Sequence, residues 1–364
     1  MNKWVEINLT NITHNIAQIR RIVGEQVEIM PIVKANAYGH GAVEVAKTAI
    51  KAGANRLGVT SLSEGIELRN AGIDVPILVL FPLDMNQTKK AIDNQLILTI
   101  SSITNLKDLI QLNQPIKIHL KIDTGMGRLG IQCEEVSELI DILKPANLQI
   151  EGILSHFAQA DFDDNSYTYK QFNKFNEVVH HLSQAGINIP IKHISNSAAI
   201  LKFKEMHLSL VRPGIIIYGL YPTPNIPKTF DFRPVMTFKT TIVQLRKIPP
   251  GRGISYGSTY ITDKETSVAT IPVGYADGYN RLLSNKAQVT IKGFRAPIVG
   301  RVTMDFCMIN VNDIPEVRIG DEVILFGEDP PVDELAQICN TINYEIVCGI
   351  KSHISRVYLH TKKT

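Results

Sequence analysis

Lys34 is the residue of this chain whose type and position most strongly suggest chemistry. It ends a short apolar run, residues 30–33, and a turn with two glycines follows at residues 35–41. Such an apolar run indicates a buried strand, and a lysine is almost never buried without a partner. The ammonium group either reaches solvent along its aliphatic stem or takes part in a reaction. A partly desolvated amine has a lowered pKa and can attack a carbonyl group near neutral pH.

Pyridoxal phosphate is one carbonyl compound that such a lysine can bind. The cofactor also needs a phosphate site and a group that faces its pyridine nitrogen. Ser197, in the segment 196–199, can open a helix and offer a hydroxyl and backbone N–H groups to an anion. Gly214 has no Cβ and lets the backbone approach a phosphate closely. Each of these short segments is, by itself, equally typical of a helix cap or a turn.

Eight apolar, β-branched runs predict strands that alternate with helices in the first two thirds of the chain. The predicted strands are residues 29–33, 56–60, 77–81, 96–100, 116–122, 149–155, 191–195 and 209–218. The predicted helices are residues 43–52, 62–71, 86–93, 103–112, 134–143, 166–185 and 198–203. Continuous apolar strands that alternate with helices are typical of a parallel sheet covered by helices. Eight such units predict an α/β fold with a closed (β/α)₈ TIM barrel.

The polar residues that follow the predicted strands lie, in such a barrel, around one mouth. Barrel enzymes place their reactive groups there, at the carboxyl ends of the strands. Any one of these residues can equally be a solvated loop residue. Together they predict an active site, and they are Lys34, Asn36, Tyr38, Lys121, Asp123, Arg128, His156, Ser195, Asn196, Ser197, Arg212 and Gly214.

A proline-rich segment, residues 221–227, marks a change in the character of the chain. Beyond it, the segments 235–245, 267–271, 288–291 and 322–325 predict strands, and only residues 331–341 predict a clear helix. We therefore predict a barrel over residues 11–227 and a mainly antiparallel β domain over residues 228–364. Residues 1–10 include a strand-like segment that can pair with the β domain.

Composition and charge favour a small-molecule partner. The chain has 364 residues, a formal net charge of +3 and no long run of Lys or Arg, which argues against binding to nucleic acid or to a membrane surface. Residues 1–10 do not resemble a signal peptide, and no apolar run approaches the roughly 18 residues of a membrane span, so we expect a cytoplasmic location. The four cysteines lack metal-ligand spacing, and no metal site is expected.

The chain resembles the alanine racemase family over nearly its whole length. The motifs that carry the resemblance are residues 30–41 around Lys34, 121–130, 156–158, 196–199, 212–214, 255–257, 274–279 and 300–305. The resemblance implies a fold-type III pyridoxal phosphate enzyme with a barrel and a C-terminal β domain. It further implies interconversion of L-alanine and D-alanine, with D-alanine supplied for peptidoglycan.

The resemblance assigns the two catalytic bases. It makes Lys34 the lysine that binds pyridoxal phosphate and the base on one face of the substrate Cα. Tyr256 becomes the base on the opposite face, which suits racemisation because a proton must leave one face and return to the other. By analogy with the family, Tyr256 comes from a second subunit, which implies a head-to-tail homodimer with shared active sites.

Further roles also follow from the resemblance. Arg212 faces the pyridine nitrogen, Arg128 binds the substrate carboxylate, and Lys121 matches a lysine that many family members carry as a carbamate; pairing with Asp123 at the rim is the alternative for Lys121. His156 is expected near Arg212 and Tyr256, or as a hydrogen-bonded core histidine. The remaining expected cofactor ligands are Tyr38, Asn196, Ser197, Gly214 and Ile215. The backbone N–H of Met304 is expected at the substrate carboxylate, and the residues expected along the substrate passage are Tyr275, Arg281, Arg301 and Asp305.

Ser352 departs from the family pattern, which usually has tyrosine or arginine at this position. Either the pocket tolerates larger substrates, or a second residue fills the gap; a shift of one residue would place His353 there instead. A broad-specificity or serine racemase therefore remains an alternative. A non-catalytic pyridoxal phosphate carrier is less favoured because carriers resemble the barrel alone, and an amino-acid decarboxylase is less favoured because of Tyr256 and Arg212.

Overall fold

The computed structural model describes residues 2–112, 114, 116–146 and 148–360. These residues form two compact units. The first, which we call the barrel unit, comprises Ile12–Ala37 and Ala42–Phe232. The second, which we call the β unit, comprises the chain through Asn11, the short segment Tyr38–Gly41 and the chain from Arg233 onward.

The chain begins with strand β1 (Lys3–Asn8) and helix α1 (Leu9–Val23), which leads into the barrel unit. The sequence analysis did not predict α1, although its buried isoleucines recur at the spacing of one helix face, at residues 12, 16 and 19. The strands that follow are β2 (Glu28–Ile29), β3 (Leu57–Val59), β4 (Ile77–Val79), β5 (Ile97–Ile100), β6 (Lys117–Asp123), β7 (Ile131–Gln132), β8 (Gln149–Leu154), β9 (Ile191–His193) and β10 (Leu210–Val211).

Backbone hydrogen bonds close these strands into a ring. Strands β3, β4, β5, β6, β8 and β9 pair in parallel in that order, and β10 pairs in parallel with β2. The amide of Val33 donates to the carbonyl of Gly58 at 2.9 Å, which joins the β2 side to β3. The amide of Arg212 donates to the carbonyl of Ser195 at 3.0 Å, which joins the β10 side to β9. The predicted (β/α)₈ barrel is confirmed.

Helices follow most barrel strands, close to the predicted bounds. Ser61 caps the helix that begins at Leu62. Its hydroxyl accepts a hydrogen bond from the amide of Glu64, while the Glu64 carboxylate accepts one from the amide of Ser61. The helices are α2 (Ala42–Lys51), α3 (Leu62–Asn70), α4 (Met85–Asp93), α5 (Ile103–Gln111), α6 (Val136–Leu143), α7 (Ser166–Gln184) and α8 (Ser197–Lys202), with 3₁₀ turns at Cys133–Glu135 and Lys204–Met206.

The last predicted barrel strand, residues 209–218, is wrong over most of its length. Only Leu210–Val211 is a strand, and Ile215–Tyr218 is a 3₁₀ helix. Pro213 has no amide to donate to a neighbouring strand, and the backbone turns at Gly214, which has φ −108° and ψ −95°. The apolar run is buried as predicted, but burial does not require an extended chain.

Strands dominate the β unit, which the sequence analysis predicted to be mainly antiparallel. The largest sheet has the order β17, β16, β19, β11, β1, β20, in which β1 pairs antiparallel with β11 and parallel with β20. The other sheets are β12–β15–β18 and β13–β14. The bounds are β11 (Met236–Thr241), β12 (Gln244–Ile248), β13 (Gly253–Ile254), β14 (Tyr260–Ile261), β15 (Thr266–Ile271), β16 (Gln288–Ile291), β17 (Phe294–Pro297), β18 (Cys307–Asn310), β19 (Glu322–Phe326) and β20 (Ser355–Leu359), with helices α9 (Val332–Ile338) and α10 (Asn343–Gly349). The 3₁₀ turns of this unit are Tyr256–Ser258, Tyr275–Asp277 and Arg281–Leu283.

Two details of this unit differ from the sequence analysis. The segment 235–245, predicted as one strand, is split between two sheets. The split occurs at two adjacent residues. The amide of Ile242 donates to the carbonyl of Asp321 at 3.0 Å, and the amide of Val243 donates to the carbonyl of Thr270 at 2.9 Å. Residues 331–341 are not the only helical segment, because α10 follows α9 directly.

The boundary between the units lies at Phe232 and Arg233 rather than at residues 227 and 228. The segment after the prolines packs back onto the barrel unit. The hydroxyl of Tyr221 donates to the carbonyl of Phe230 at 2.6 Å, and the ring of Tyr221 lies 5.6 Å from that of Phe232. Proline content therefore marked the linker, while aromatic packing determined where it ends.

Candidate active site

The backbone after Lys34 forms a left-handed turn. Residues 35–38 all have positive φ, between 51° and 53°, and none of them is a glycine. This conformation costs an L-residue roughly 1–2 kcal/mol, because Cβ approaches the following carbonyl oxygen. Such strain persists only where the surrounding structure holds it, and it is concentrated at functional sites.

Side chains of the barrel unit hold this turn in place. The amide of Ala35 donates to Glu64 Oε1 at 2.6 Å, and the amide of Thr60 donates to Glu64 Oε2 at 2.8 Å. The amide of Ala42 donates to Asn36 Oδ1 at 2.8 Å. Glu64 thus both caps a helix and fixes the start of the turn, while Asn36, one of the predicted rim residues, closes its end. The backbone of Lys34 is set by these contacts.

Tyr38 ends the turn and belongs to the β unit. Its ring centroid lies 5.9 Å from that of Tyr344 on α10, and burial raises the pKa of its hydroxyl well above the usual value. The guanidinium Nε of Arg356 donates to the carbonyl of Gly39 at 3.1 Å. Gly41, with φ 99°, lies so close to the hydroxyl of Tyr358 that no Cβ would fit. The C-terminal residues of the β unit therefore fix the position of Tyr38.

Arg212 follows β10 and is almost fully buried in the barrel unit, with 5% of its surface exposed. Its Nη1 donates to His193 Nδ1 at 2.9 Å, and its Nη2 donates to the carbonyls of Ser155 and Ile194 and to His156 Nδ1 at 2.7, 3.1 and 3.1 Å. Burial lowers the pKa of the guanidinium to about 9. None of its hydrogen bonds to described residues uses Nε, so this donor remains for a ligand.

The predicted cationic residues of the barrel unit lie close enough to His156 and Lys121 to lower the pKa of both. The pKa of His156 lies well below its usual value, first because of burial and then because of nearby cations. The pKa of Lys121 is lowered to about 8, again mainly by burial and then by Arg212 and Arg128, while Asp123 opposes the change. The cations that act on His156 are Arg212, Arg128, Lys121 and Lys34. Such a cluster favours an anionic ligand.

Asp123 has a structural task of its own. Its Oδ1 accepts from the amides of Gly125, Met126 and Gly127 at 2.9, 2.9 and 3.2 Å, and this organises the loop that leads to Arg128. Among the described residues, Asp123 makes no hydrogen bond or ion pair with Lys121. The alternative in which Lys121 is simply paired with Asp123 is therefore not what the structure contains.

The two predicted phosphate segments meet. The amide of Gly214 donates to the hydroxyl of Ser197 at 2.9 Å, and Ile215 begins the buried 3₁₀ helix beside it. Asn196 instead caps α8, since its side chain accepts from the amide of Ala199 at 3.0 Å. The structure brings Ser197, Gly214 and Ile215 together, and it gives the side chain of Asn196 a structural role.

In the β unit, three predicted motifs converge on one surface. The hydroxyl of Ser255, which precedes Tyr256, donates to the carbonyl of Arg301 at 2.7 Å. The amide of Tyr275 donates to the carbonyl of the residue before Met304 at 3.0 Å. Tyr256 and Met304 are 73% and 54% exposed, which is unusual for residues expected to act in catalysis or binding. The backbone thus brings Tyr256, Tyr275 and Met304 together.

The other predicted residues of the β unit, Arg281, Asp305 and Ser352, are exposed. Ser352 lies between α10 and β20.

Sequence reasoning missed a set of polar residues inside the barrel, His119, Glu151 and His193. They lie on strands β6, β8 and β9, and the two histidines are fully buried. The available signal was a histidine within each of two apolar strands.

The described part of the chain contains no group of three or more Asp, Glu, His or Cys residues that could hold a metal ion. In the same part of the chain, no helix combines the length and apolar character needed to cross a membrane.

Comparison with known proteins places the chain among characterised sequences. Residues 7–222 match the family described as alanine racemase, N-terminal domain, and residues 235–358 match alanine racemase, C-terminal domain. Alanine racemase of Halothermothrix orenii is 48% identical over 364 residues, which covers 98% of this chain and 96% of the relative. The alanine racemase structure from Clostridium difficile has a TM-score of 0.94 at 40% identity, over 99% of this chain and 96% of that one. The Bacillus anthracis alanine racemase with bound L-Ala-P has a TM-score of 0.93 at 39% identity, over 100% of this chain and 96% of that one.

Proposed function

The chain belongs to the alanine racemase family, and from this premise we propose that Lys34 and Tyr256 are the two bases of its reaction. It is an isomerase of a pyridoxal phosphate-dependent family and interconverts L-alanine and D-alanine, which supplies D-alanine for peptidoglycan. The observation that carries the assignment of Lys34 is the cluster of Lys34, Lys121, Arg128 and Arg212 around His156 in the barrel unit, while Tyr256 is assigned from the family motif.

The donor set in the barrel unit suits pyridoxal phosphate. The buried guanidinium of Arg212 uses only Nη1 and Nη2 in its hydrogen bonds to described residues. Its Nε–H can therefore donate to an acceptor such as a pyridine nitrogen. The hydroxyl of Ser197 and the backbone beside Gly214 and Ile215 offer polar groups to a phosphate. From the family pattern alone, we also propose Tyr38, which belongs to the β unit, and Asn196 as ligands of the cofactor. Lys34 would hold the cofactor covalently. When bound, the cofactor stabilises negative charge at the substrate Cα.

Two bases on opposite faces explain racemisation without rotation of the substrate. Lys34 takes or gives the Cα proton on one face, and Tyr256 does so on the other.

The exposure of Tyr256 supports a dimer in which active sites are shared. A tyrosine that acts as a base needs a site from which water is excluded, yet Tyr256 is 73% exposed. Met304 and Phe306 are also exposed on the same unit, and exposed apolar residues of this kind mark association surfaces. We propose that a second copy of the chain receives Tyr256 and Met304 at its own Lys34.

Mixing two inactive variants tests the shared site. Lys34→Ala and Tyr256→Phe subunits, unfolded and refolded together, should recover about a quarter of wild-type activity, because half of the dimers are mixed and each mixed dimer has one intact site. The measurement is D-alanine production by the mixture and by each variant refolded alone. If the mixture is as inactive as the separate variants while mixed dimers are present, the two bases belong to one chain.

Arg128 and the backbone N–H of Met304 are the proposed ligands of the substrate carboxylate. A guanidinium can bind a carboxylate through two parallel hydrogen bonds, which fixes its orientation. Lys121 would repel Arg128 as an ammonium ion. As a carbamate it would instead accept hydrogen bonds from Arg128, and its lowered pKa supports this modification because a neutral amine is required to react with carbon dioxide.

Lys121 is therefore expected to carry a carbamate that can be detected directly. With ¹³C-bicarbonate, a carbamate resonance should appear in the wild-type protein and grow as the pH rises through about 8, where the neutral amine becomes the major form. Lys121→Ala should remove the signal and raise KM for alanine more than it lowers kcat. Lys107→Ala, which removes an exposed lysine paired with Glu138, is the control. A carbamate signal that persists in Lys121→Ala would assign the modification elsewhere.

Turnover of amino acids distinguishes the remaining alternatives. Pure protein with pyridoxal phosphate should convert L-alanine to D-alanine, and the absence of D-alanine would contradict the proposed function and favour a carrier. Comparable turnover of L-serine would support the broad-specificity alternative that Ser352 raised, whereas strict preference for alanine would support the alternative in which a second residue fills the gap. Release of carbon dioxide from the substrate would favour a decarboxylase. The expected cytoplasmic location stays a prediction.

A further inference from the structure

A continuous chain of hydrogen bonds runs through the barrel core to Arg212. Arg212 Nη1 contacts His193 Nδ1 at 2.9 Å, and His193 Nε2 contacts His119 Nδ1 at 2.8 Å. His119 Nε2 contacts Glu151 Oε2 at 3.2 Å, and the same oxygen accepts from Arg56 Nη1 at 2.8 Å. A buried cation is thus connected to a distant carboxylate through two imidazole rings. We call Arg212, His193, His119 and Glu151 the core relay.

The chemistry of the groups fixes the direction of every bond in the core relay. An arginine can only donate, so His193 Nδ1 must accept and its proton must lie on Nε2. His193 Nε2 then donates to His119 Nδ1, which places the second proton on His119 Nε2. That proton points at Glu151, which accepts as a carboxylate. Both histidines are therefore neutral, and each has one defined tautomer.

Burial and charge agree with this assignment. Burial lowers the pKa of both His119 and His193, with Arg212 as a further cause, and this favours the neutral rings. The pKa of Glu151 falls to about 2, chiefly because of its hydrogen bond with His119, so it is ionised. Gly152 lies against the ring of His119, where no Cβ would fit. The absence of a side chain at residue 152 therefore leaves room for the ring of His119.

We propose that Glu151 is a remote positioning residue for the reaction, acting through His119 and His193 on Arg212. Hydrogen bonds in a chain polarise one another in a region of low dielectric constant, so a carboxylate at one end makes His193 Nδ1 a stronger acceptor at the other. A stronger acceptor holds the buried guanidinium charged and in one orientation. The inference rests on the proposed role of Arg212 beside the cofactor.

The charged groups around both ends define what a variant should change. Glu151 faces Arg56, His119 and, at 3.7 Å, Lys117. Arg212 faces His193 and His156 and adds to the low pKa of Lys121. Glu151→Gln keeps the shape and removes the charge. Loss of this negative charge should lower the pKa of Arg212 further, so any step that needs its charge should fail at a lower pH.

Histidine NMR tests the relay independently of activity. In the wild-type holoenzyme, His119 and His193 should each show a protonated Nε2 and an unprotonated Nδ1. In Glu151→Gln, the Hε2 resonance of His119 should move upfield, and that of His193 should follow, although His193 does not touch residue 151. Glu28→Gln is the matched control, because Glu28 contacts the same Arg56 at 2.5 Å but no relay histidine, and it should move neither resonance.

The kinetic test separates positioning from binding. Glu151→Gln should lower kcat for alanine roughly 3- to 10-fold, the usual range for remote coupling, with little change in KM and with the basic limb of the pH profile moved to lower pH. Glu151→Asp, which keeps the charge, should restore part of the loss. Glu28→Gln should behave as the wild type.

Three results would overturn the inference. One is a protonated Nδ1 on His193 in the wild type, which reverses the relay and requires no variant. Another is an unmoved His193 resonance in Glu151→Gln. The third is an unchanged kcat and pH profile in that variant. In each case normal racemisation of alanine by the wild type would leave the proposed function standing. If the wild type does not racemise alanine, the proposed function fails, while the histidine NMR still tests the hydrogen-bond relay itself.

Discussion

Replacing Lys34 with alanine is expected to abolish racemisation of alanine, with a loss of more than about 10⁴-fold, because one residue supplies both the covalent link to the cofactor and one of the two bases. The measurement is D-alanine formed from L-alanine and the reverse. Reduction with borohydride, followed by peptide mapping, should attach the cofactor to the wild-type peptide that contains Lys34 and should leave the variant unlabelled.

Two further variants make the Lys34 result specific. Lys34→Arg keeps a positive charge beside Lys121 and His156, but a guanidinium is too weak a nucleophile and base, so it should also be inactive. Lys51→Ala, at the exposed end of α2, should be fully active. Racemisation that survives in Lys34→Ala, or cofactor trapped on another lysine, would show that the central assignment is wrong.

Replacing Tyr256 with phenylalanine is expected to slow racemisation by about 10²- to 10⁴-fold, the usual contribution of one general acid or base. Lys34 remains, so exchange of the Cα hydrogen with solvent deuterium should continue for one enantiomer and nearly stop for the other. The measurement is deuterium incorporation into L-alanine and D-alanine, followed separately by mass spectrometry in deuterated water.

The asymmetry of exchange is the informative result for Tyr256. Tyr260→Phe, on the neighbouring strand β14, is the matched control and should exchange and racemise as the wild type does. If Tyr256→Phe loses exchange equally for both enantiomers, Tyr256 supports the site without being one of its bases. If the rate is unchanged, another group is the second base.

Local sequence signals predicted the regular elements well. Each of the eight apolar runs overlaps a barrel strand, and helices such as Ile103–Gln111 and Ser166–Gln184 lie within one or two residues of their predicted bounds. This accuracy has a physical basis, since β-branched runs favour buried strands and amphipathic periodicity favours helices. Where an apolar run contained Pro213 and Gly214, hydrophobicity still predicted burial but the backbone did not remain extended.

The candidate site was only partly accessible from sequence. Arg212, Lys121 and Arg128 were predicted from their positions after strands and from motifs, and the structure brings them together. The sequence analysis predicted no role for Glu64, and nothing local indicated that its carboxylate would hold the turn after Lys34. Such contacts join residues that are far apart in sequence, so periodicity contains no information about them.

The sequence by itself determined the family, the order of strands and helices, and the residue types needed for the chemistry around Lys34. Only the tertiary structure decided how those residues ionise and which of them are connected. The left-handed turn after Lys34, the pKa of Lys121 near 8 and the relay from Glu151 to Arg212 all depend on groups brought together by folding. The physical reason is that burial and neighbouring charges set a pKa, and both arise only once the barrel has closed.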